Sequence, residues 1–378
     1  MIDRRSLLAR SAFLAAGALS PTLLHAATAA TDKRFVFIIQ RGAADGLHIV
    51  PPMGDPAFAS LRGGFLDALH GAHQLDGTFS LHPSLTRIAG MYDRRQMVAV
   101  HAVASAYRDR SHFDGQNVLE TGGTQAYAEK AGWMNRLLPL LPDGRALALA
   151  ADVPMALRGP APVSSYAPSG LPQAQDDLIA RVARLYAGDS QLDGLWQQVM
   201  QTKGLVGDLA KSRGQAPADL GKVAARMMAG PDGARVLMIE TGGWDTHTGQ
   251  TGRLAAQLGN LDVLVGTMAD ALGPTWKDTL VLVATEFGRT AAINGTNGTD
   301  HGTASAALLM GGGLHGGRVM ADWPGVAPGA LFEARDLKPT LAMEALVSGA
   351  VAGHFGLDPA LVARRLYPAQ QSLRAVLV

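Results

Sequence analysis

Short apolar runs alternate with segments of helical periodicity along most of the chain. The continuous apolar runs, which are typical of buried strands in a parallel sheet, are residues 35–40, 97–103, 146–151, 236–240, 279–285 and 306–310. Apolar residues at three- and four-residue spacing predict helices over residues 83–95, 173–187, 192–211, 217–229, 252–272 and 338–348. This alternation predicts an α/β fold, with a mostly parallel central sheet covered by helices on both faces.

The segment 160–230 differs from the rest of the chain because helical patterns dominate it. It follows a stretch rich in proline, glycine and serine at 159–165, a composition typical of a loop. We interpret the segment as a helical insertion that caps a single domain covering residues 30–378. Its amphipathic faces are explained by packing against the core, so they indicate no particular substrate.

The first 29 residues have the features of an export signal. Arg4 and Arg5 precede a mildly apolar stretch at 11–24, and small, alanine-rich residues follow it. Paired arginines indicate the twin-arginine pathway. A membrane anchor is the alternative, but the stretch is interrupted by glycine, serine and proline and is shorter than the roughly 20 apolar residues of a span. We therefore expect a periplasmic or secreted protein that folds before export and keeps no membrane span after cleavage.

The composition excludes several classes of protein. Of the 378 residues, 47% are hydrophobic and 17% are charged, and 33 lysines and arginines nearly cancel 32 aspartates and glutamates. Such a chain is too apolar to be disordered and too balanced in charge to bind nucleic acid through bulk charge. The absence of cysteine removes disulfides, thiol nucleophiles and cysteine-ligated zinc. Any metal would be bound by His, Asp, Glu or hydroxyl ligands.

Four loops rich in Asp, His and Gly follow predicted strands, the places where ligands bind in open α/β sheets. In the first loop, Asp45 lies between small residues, and its carboxylate would either face a cleft or cap a turn. In the second, Ser111, His112 and Asp114 lie where a helix is expected to begin. Backbone N–H groups there would stabilise an anion beside Ser111. Alternatively, Ser111 and Asp114 form a helix cap.

The third and fourth loops carry further ligand types. Asp245 and His247 are two residues apart, so on an extended segment both side chains lie on one side of the chain. The pair would clip a divalent cation, or Asp245 would fix the tautomer of His247 and cap the next helix. Glu286 directly follows a strand, and Asp300 and His301 follow a Gly/Asn-rich stretch. These residues fit a site that closes around an ion or ester, although turn chemistry also explains the Asp300-His301 pair.

Two arginines and a glycine-rich run complete the candidates. Arg289 or Arg110 would clamp a phosphate or sulfate oxyanion through paired N–H groups, or would form a surface ion pair. The run at 311–316 matches the glycine spacing of a dinucleotide-binding loop. No amphipathic helix follows it, so it does not predict a nucleotide site. The chain also lacks the nucleophile elbow of ordinary α/β-hydrolases.

The four loops, in this order, resemble the alkaline phosphatase and sulfatase superfamily. More narrowly, the chain resembles a family of twin-arginine-exported bacterial proteins in that superfamily that is known as a domain of unknown function. The segments that carry this resemblance are RGAADGL, SHFDGQ, GGWDTH, TEFGR, GTDHG and GGGLHGG…DWPG. They span nearly all of the chain after the leader, and they imply the superfamily's three-layer α/β sandwich.

The superfamily pattern implies two metal sites flanking a nucleophilic hydroxyl. The residues carried over are Asp245, His247 and His301 for one ion, and Asp45, Ser111 and Glu286 around the other. Asp300 is a further candidate ligand. The resemblance implies one or two divalent metal ions. Zinc is the expected metal, and calcium, magnesium and manganese are the alternatives. The superfamily usually has Asp-His where this chain has Glu286-Phe287, so the second site lacks an imidazole. Either His112 replaces it, or one ion binds, or the site is degenerate.

Three functional interpretations follow. The first is an exported metal-dependent hydrolase of phosphate or sulfate esters, acting on a small-molecule or glycan ester. The second is a non-catalytic exported protein that keeps the fold and a partly degenerate metal site for binding a glycan or partner. The third is a different hydrolase or lyase in which Ser111 and His112 have acid–base roles.

Overall fold

The computed structural model of the chain describes residues 32–168, 176–206, 216–376 and 378. The strands are β1 (Arg34–Gln40), β2 (His73–Gln74), β3 (Ser80–Leu81), β4 (Met97–Ala104), β5 (Ala146–Leu149), β6 (Val163–Tyr166), β7 (Val236–Thr241), β8 (Thr279–Ala284), β9 (Ser305–Met310), β10 (Arg318–Met320) and β11 (Leu341–Ala342). The α-helices are α1 (Gly46–Ile49), α2 (Phe58–Arg62), α3 (Thr86–Asp93), α4 (His112–Thr121), α5 (Trp133–Leu137), α6 (Asp176–Tyr186), α7 (Ser190–Val206), α8 (Pro217–Met228), α9 (Gln250–Leu272), α10 (Met343–Phe355) and α11 (Pro359–Leu366). The proposed leader over 1–29 lies outside the described residues, as do parts of the predicted helices 173–187 and 192–211.

One large sheet forms the centre of the fold. Nine of the described strands belong to it, in the order β10-β4-β9-β8-β1-β7-β5-β6, with β11 also paired to β4. Every pair is parallel except the two formed by β9, which runs antiparallel to β4 and to β8. The predicted α/β fold with a mostly parallel sheet is confirmed. The prediction that the run at 306–310 is also parallel is wrong.

Both faces of the sheet are buried under helices, as the continuous apolar runs predict. In β1, Val36 and Ile38 face one core, while Phe35 and Phe37 face the other. Helices α3, α8 and α9 contribute to the first core, and α5, α10 and α11 contribute to the second. Each fully buried large apolar side chain contributes about 1.5–3 kcal/mol to stability, so the two helix layers hold the sheet rigidly between them.

The segment 160–230 contributes to the body of the fold in its described part. β6 is the strand at one edge of the sheet, and α8 lies in the helix layer against α9. Only α6 and α7 lie farther out, with Leu185 and Leu195 among their exposed apolar side chains. Among the described helices, none has both the length and the hydropathy that crossing a membrane requires.

The loops with the candidate residues meet at the edge of the sheet that is formed by the carboxyl ends of its parallel strands. The parallel strands β1, β4, β7 and β8 all end there. Because β9 is antiparallel, its first residue lies at this same edge, and Ser305 is paired with Val103 near the end of β4. The loop that precedes β9 therefore joins the loops that follow the parallel strands.

Candidate functional site

His112 is the first residue of α4 and is held by a buried carboxylate. Its Nδ1 lies 2.9 Å from Glu286 Oε1. Glu286 also accepts hydrogen bonds from the Gly42 backbone N–H at 2.8 Å and from Gln116 Nε2 at 3.0 Å. Because a carboxylate only accepts, Nδ1 of His112 carries a proton, and in the neutral form of the ring the lone pair lies on Nε2. That Nε2 atom is buried and has no hydrogen-bond partner among the described residues.

His247 and His301 are oriented in the same manner. His247 Nδ1 lies 3.0 Å from Asp300 Oδ1, and His301 Nδ1 lies 3.0 Å from the Arg110 carbonyl oxygen. Both partners only accept, so each imidazole donates from Nδ1, and in the neutral form of the ring the lone pair lies on Nε2. The two Nε2 atoms are 2.9 Å apart. Two lone pairs facing each other at that distance repel unless a proton or a metal ion lies between them.

Asp245 lies at the centre of the three imidazoles. Its Oδ1 is 3.0 Å from His247 Nε2 and 3.3 Å from His301 Nε2, and its Oδ2 is 3.5 Å from His112 Nε2. The ligand atoms of His112, Asp245 and His301 all lie within 4.8 Å of one another, and those of Asp245, His247 and His301 lie within 3.3 Å. Ligand atoms of a tetrahedral site are about 3.3 Å apart when the bonds are about 2.0–2.1 Å long. The cluster therefore has the atoms and the size to hold a divalent metal ion.

Arg289 holds Asp245 from the buried side. Its side chain is inaccessible to solvent, and Nη1 lies 2.6 Å from Asp245 Oδ1. Its Nε donates to Thr299 Oγ1 at 3.1 Å, and Nη2 donates to the Thr299 carbonyl. Burial acts to raise the pKa of Asp245, but the Arg289 guanidinium more than offsets it and the pKa is lowered.

Neither arginine is placed as the oxyanion clamp that the sequence suggests. A clamp needs N–H groups that face solvent, and those of Arg289 are buried against Thr299 and Asp245. The Arg110 guanidinium pairs with Glu333 and Asp336. Arg110 contributes to the cluster through its backbone carbonyl instead, which orients His301.

Ser111 is the N-cap residue of α4. Its backbone is extended, at φ −95° and ψ 125°, and its hydroxyl forms no capping hydrogen bond. The backbone N–H of Ser111 donates to the Tyr107 hydroxyl at 3.1 Å. The hydroxyl itself makes no hydrogen bond within the described residues, so helix capping does not explain the serine. It lies next to His112 in sequence but is not part of the cluster of ligand atoms.

Asp45 lies in a buried ion pair away from the cluster. Arg62 Nη1 and Nη2 donate to its two oxygens at 2.6 and 3.2 Å, and Gln250 Nε2 donates to Oδ2 at 2.5 Å. Burial alone would raise the pKa of Asp45, but the charge and hydrogen bonds of Arg62 lower it. The implied role of Asp45 as a ligand of a second ion is corrected by these contacts, because both of its oxygens are already bound.

Glu286 and Phe287 form the wall behind His112. The Phe287 ring lies 5.2 Å from the His112 ring at an interplanar angle of 24°, and 5.4 Å from the His301 ring. Glu286 is buried and orients His112 rather than facing open space. Where the superfamily pattern has an imidazole, this chain has an aromatic surface against two imidazoles from other loops.

The candidates thus separate into three groups. His112, Asp245, His247 and His301 converge. Glu286, Asp300 and Arg289 lie behind them and hold them. Asp45 and Ser111 lie outside. Two supporting residues, Gln116 and Thr299, were not predicted from the sequence. Gln116 is four residues after His112 on a predicted helix, and that spacing was the available signal.

No curated protein is significantly similar in sequence to the chain. Among solved structures, the chain is similar to the C-terminal periplasmic domain of EcEptC from Escherichia coli in complex with Zn, at 8% identity, covering 76% of this chain and 74% of that chain with a TM-score of 0.39. It is similar to Ps i-CgsB in complex with k-i-k-neocarrahexaose, at 11% identity, covering 91% and 77% with a TM-score of 0.43. It is also similar to alkaline phosphatase from the Antarctic bacterium TAB5, at 11% identity, covering 78% and 95% with a TM-score of 0.36.

With TM-scores below 0.5, these structural likenesses carry no weight for the fold or activity of this chain. A family model does identify the family of the chain. The model described as "Protein of unknown function (DUF1501)" matches residues 32–366, which is most of the chain. The protein therefore belongs to the DUF1501 family.

Proposed function

We propose that the protein is a metal-dependent hydrolase of phosphate or sulfate esters. The observation that carries this proposal is the set of imidazoles held through Nδ1 whose Nε2 atoms converge on Asp245. Zinc is the ion that best suits donors of this kind, since calcium and magnesium prefer oxygen ligands. The alkaline phosphatase and sulfatase resemblance of the sequence supports the ester substrate.

The residues fit a divalent ion on two independent grounds. His112 Nε2 is a buried nitrogen with no hydrogen-bond partner in the described part of the chain, and such an atom costs about 1–3 kcal/mol when it stays unsatisfied. His247 and His301 face each other through lone pairs that are 2.9 Å apart. A divalent ion held by these imidazole nitrogens and Asp245 would remove both penalties.

The chain's own residues define the direction from which an ester would approach. The Asp245 and His247 side chains are 43% and 41% exposed, so substrate would enter from their side, while His112 and Phe287 close the inner side. A divalent ion bound there would act as a Lewis acid on an ester oxygen. The first turn of α4 favours a negatively charged group at its N-terminus. Ser111 is the N-cap residue of this helix, and its hydroxyl makes no capping hydrogen bond. We propose that this hydroxyl is the attacking nucleophile.

Metal content and ester turnover test this proposal together. The purified protein should contain zinc and hydrolyse p-nitrophenyl phosphate or p-nitrophenyl sulfate. We expect Asp245→Asn and His301→Ala to lose the ion and the turnover, and Ser111→Ala to lose turnover alone. His315 is an exposed histidine outside the cluster, so His315→Ala serves as the matched control and should change neither. A protein without a divalent ion, and inactive on both esters after zinc is added, would overturn the proposal.

A non-catalytic binding protein is the second candidate, and one observation favours it. Four protein side chains surround the proposed ion, and a closed set of four protein ligands is typical of structural zinc sites. This candidate predicts a bound ion, no turnover of either ester, and binding of a glycan that is lost when the ion is removed.

We further propose that the protein is exported to the periplasm or secreted through the twin-arginine pathway. The leader sequence over residues 1–29 supports this location. Replacing Arg4 and Arg5 by lysine should keep the full-length chain in the cytoplasmic fraction of a cell that exports the wild type. Equal export of both proteins would contradict the proposal.

A further inference from the structure

We infer that the centre binds one divalent ion, and that Asp45 anchors a buried hydrogen-bond chain which fixes Arg289 on Asp245. This inference rests on the proposed metal site and deepens it. It assigns a positioning role to a residue for which the superfamily pattern implies a second ion.

The chain of hydrogen bonds runs from Asp45 to Asp245 through three side chains. Gln250, the first residue of α9, donates from Nε2 to Asp45 Oδ2 at 2.5 Å. Gln250 Oε1 accepts from Thr299 Oγ1 at 2.6 Å. Thr299 Oγ1 in turn accepts from Arg289 Nε at 3.1 Å, and Arg289 Nη1 donates to Asp245 Oδ1 at 2.6 Å. The buried ion pair Arg62–Asp45 is thereby connected to the half-buried pair Arg289–Asp245.

The direction of every bond in this chain is determined. Asp45 only accepts, so the amide nitrogen of Gln250 must face it and the amide oxygen must face Thr299. Thr246 Oγ1 donates to that same oxygen at 2.9 Å. The Thr299 hydroxyl gives its proton to Gln250, and its lone pair receives Arg289. Arg289 therefore cannot turn away from Asp245 without leaving buried polar groups unpaired.

Asp45 is not available to a second ion. It is fully buried, and its two oxygens accept from both Nη atoms of Arg62. An added cation would also lie beside the Arg62 guanidinium, in a region of low dielectric where like charges repel strongly.

The charge around the cluster fits one ion and not two. Three carboxylates, those of Asp245, Glu286 and Asp300, touch the imidazoles, and one guanidinium, that of Arg289, lies beside them. With neutral imidazoles the excess is two negative charges. One divalent cation neutralises this excess, whereas two would leave an uncompensated double positive charge in a half-buried site.

Zinc stoichiometry and affinity test the inference without reference to turnover. Competition titration with a zinc chelator should give one ion per wild-type chain. Thr299→Val removes the hydroxyl that links Gln250 to Arg289, and we expect it to weaken zinc binding about 10–100-fold at unchanged stoichiometry. Thr299→Ser restores the hydroxyl and should restore the affinity.

Thr279→Val is the matched control for stability. It removes a buried hydroxyl of the same kind, which donates to the Thr275 carbonyl at 2.9 Å, at the opposite end of β8. We expect it to leave zinc affinity unchanged. Equal affinities for the folded Thr299→Val and Thr279→Val variants would overturn the positioning role.

Asp45→Asn decides between an anchor and a ligand. If Asp45 is an anchor, the Asp45→Asn variant should still bind one ion, with a lower affinity than the wild type. As a ligand, its replacement reduces the stoichiometry from two ions to one, which would overturn the inference. If Asp45→Asn does not fold because Arg62 is left unpaired, the wild-type count and the Thr299 pair still decide. If the wild type binds a single ion and Thr299→Val weakens zinc binding as expected, but no ester is hydrolysed, the proposed function is wrong and this inference is still supported.

Discussion

Acid should destabilise this protein well above the pH at which its carboxylates become protonated. Three described histidines outside the proposed metal site are buried: His48 and His101 are fully inaccessible, and His82 is 2% exposed. Burial lowers the pKa of His48 to about 3 and those of His82 and His101 to about 4, from the ordinary value of about 6.5. Each imidazole is therefore neutral in the folded protein across a pH range where it is charged in the unfolded chain.

The sign and size of the effect follow from proton linkage. Below about pH 6.5 the unfolded chain binds protons that the folded protein does not, so stability falls as the pH falls. At about pH 5 each of the three residues lowers the free energy of unfolding by about 2 kcal/mol. The sum of about 6 kcal/mol is comparable to the whole free energy of unfolding of a typical domain. His112 acts in the opposite direction, because its hydrogen bond to Glu286 raises its pKa, but it is one group against these three and His354, whose pKa burial lowers to about 4.

Urea unfolding at about pH 7.5 and about pH 5, followed by far-UV circular dichroism, measures this loss. His82→Asn keeps an acceptor for the Ser84 N–H, which His82 Nδ1 accepts at 3.1 Å, and removes a titrating group. We expect it to reduce the loss by about 2 kcal/mol. The exposed His70 is the matched position, and His70→Asn should lose as much stability as the wild type. An unfolding free energy that is equal at the two pH values, or a His82→Asn variant with the wild-type loss, would show that the buried histidines do not cause the loss.

Three further predictions concern the metal cluster and its loops. Asp336→Asn should weaken zinc binding about tenfold in a chelator titration, because Asp336 pairs with Arg110, whose carbonyl orients His301. Gly302→Ala should destabilise the protein by about 2 kcal/mol or more in urea unfolding, because the added Cβ would lie 2.3 Å from the Arg289 carbonyl carbon; Gly295→Ala, which meets nothing within 4 Å, is its control. Removing the ion with a chelator should lower the Tm of the wild type, since an ion present at 100 times its Kd stabilises by about 2.7 kcal/mol, and should leave the Tm of Asp245→Asn unchanged.

The sheet could be predicted from the sequence because its strands are buried on both faces. A strand of this kind is a continuous apolar run, and each of the six runs contains a strand. The direction of β9 was missed, although a signal for it exists. No helical pattern lies between β8 and β9, and a parallel connection normally requires a crossover helix.

The loops of the site could also be predicted, but the partners of each side chain could not. Asp45 and Asp245 look alike in the sequence, each lying in a glycine-containing loop after a buried strand. What separates them is which arginine reaches them and from where. Arg62 comes from α2 and takes both oxygens of Asp45, whereas Arg289 takes one oxygen of Asp245. Such pairings depend on how α2 and the loop after β8 lie in space, and no local pattern encodes that arrangement.

The placement of β9 has a consequence for when the proposed ion could be acquired. His112 follows β4, His247 follows β7, and His301 precedes β9, which pairs with both β4 and β8. The four ligands therefore come together only after strands from the first third and the last third of the chain have joined one sheet. A nascent chain that ends before β9 has no complete set of ligands, so the proposed ion could be bound only after β9 has joined the sheet.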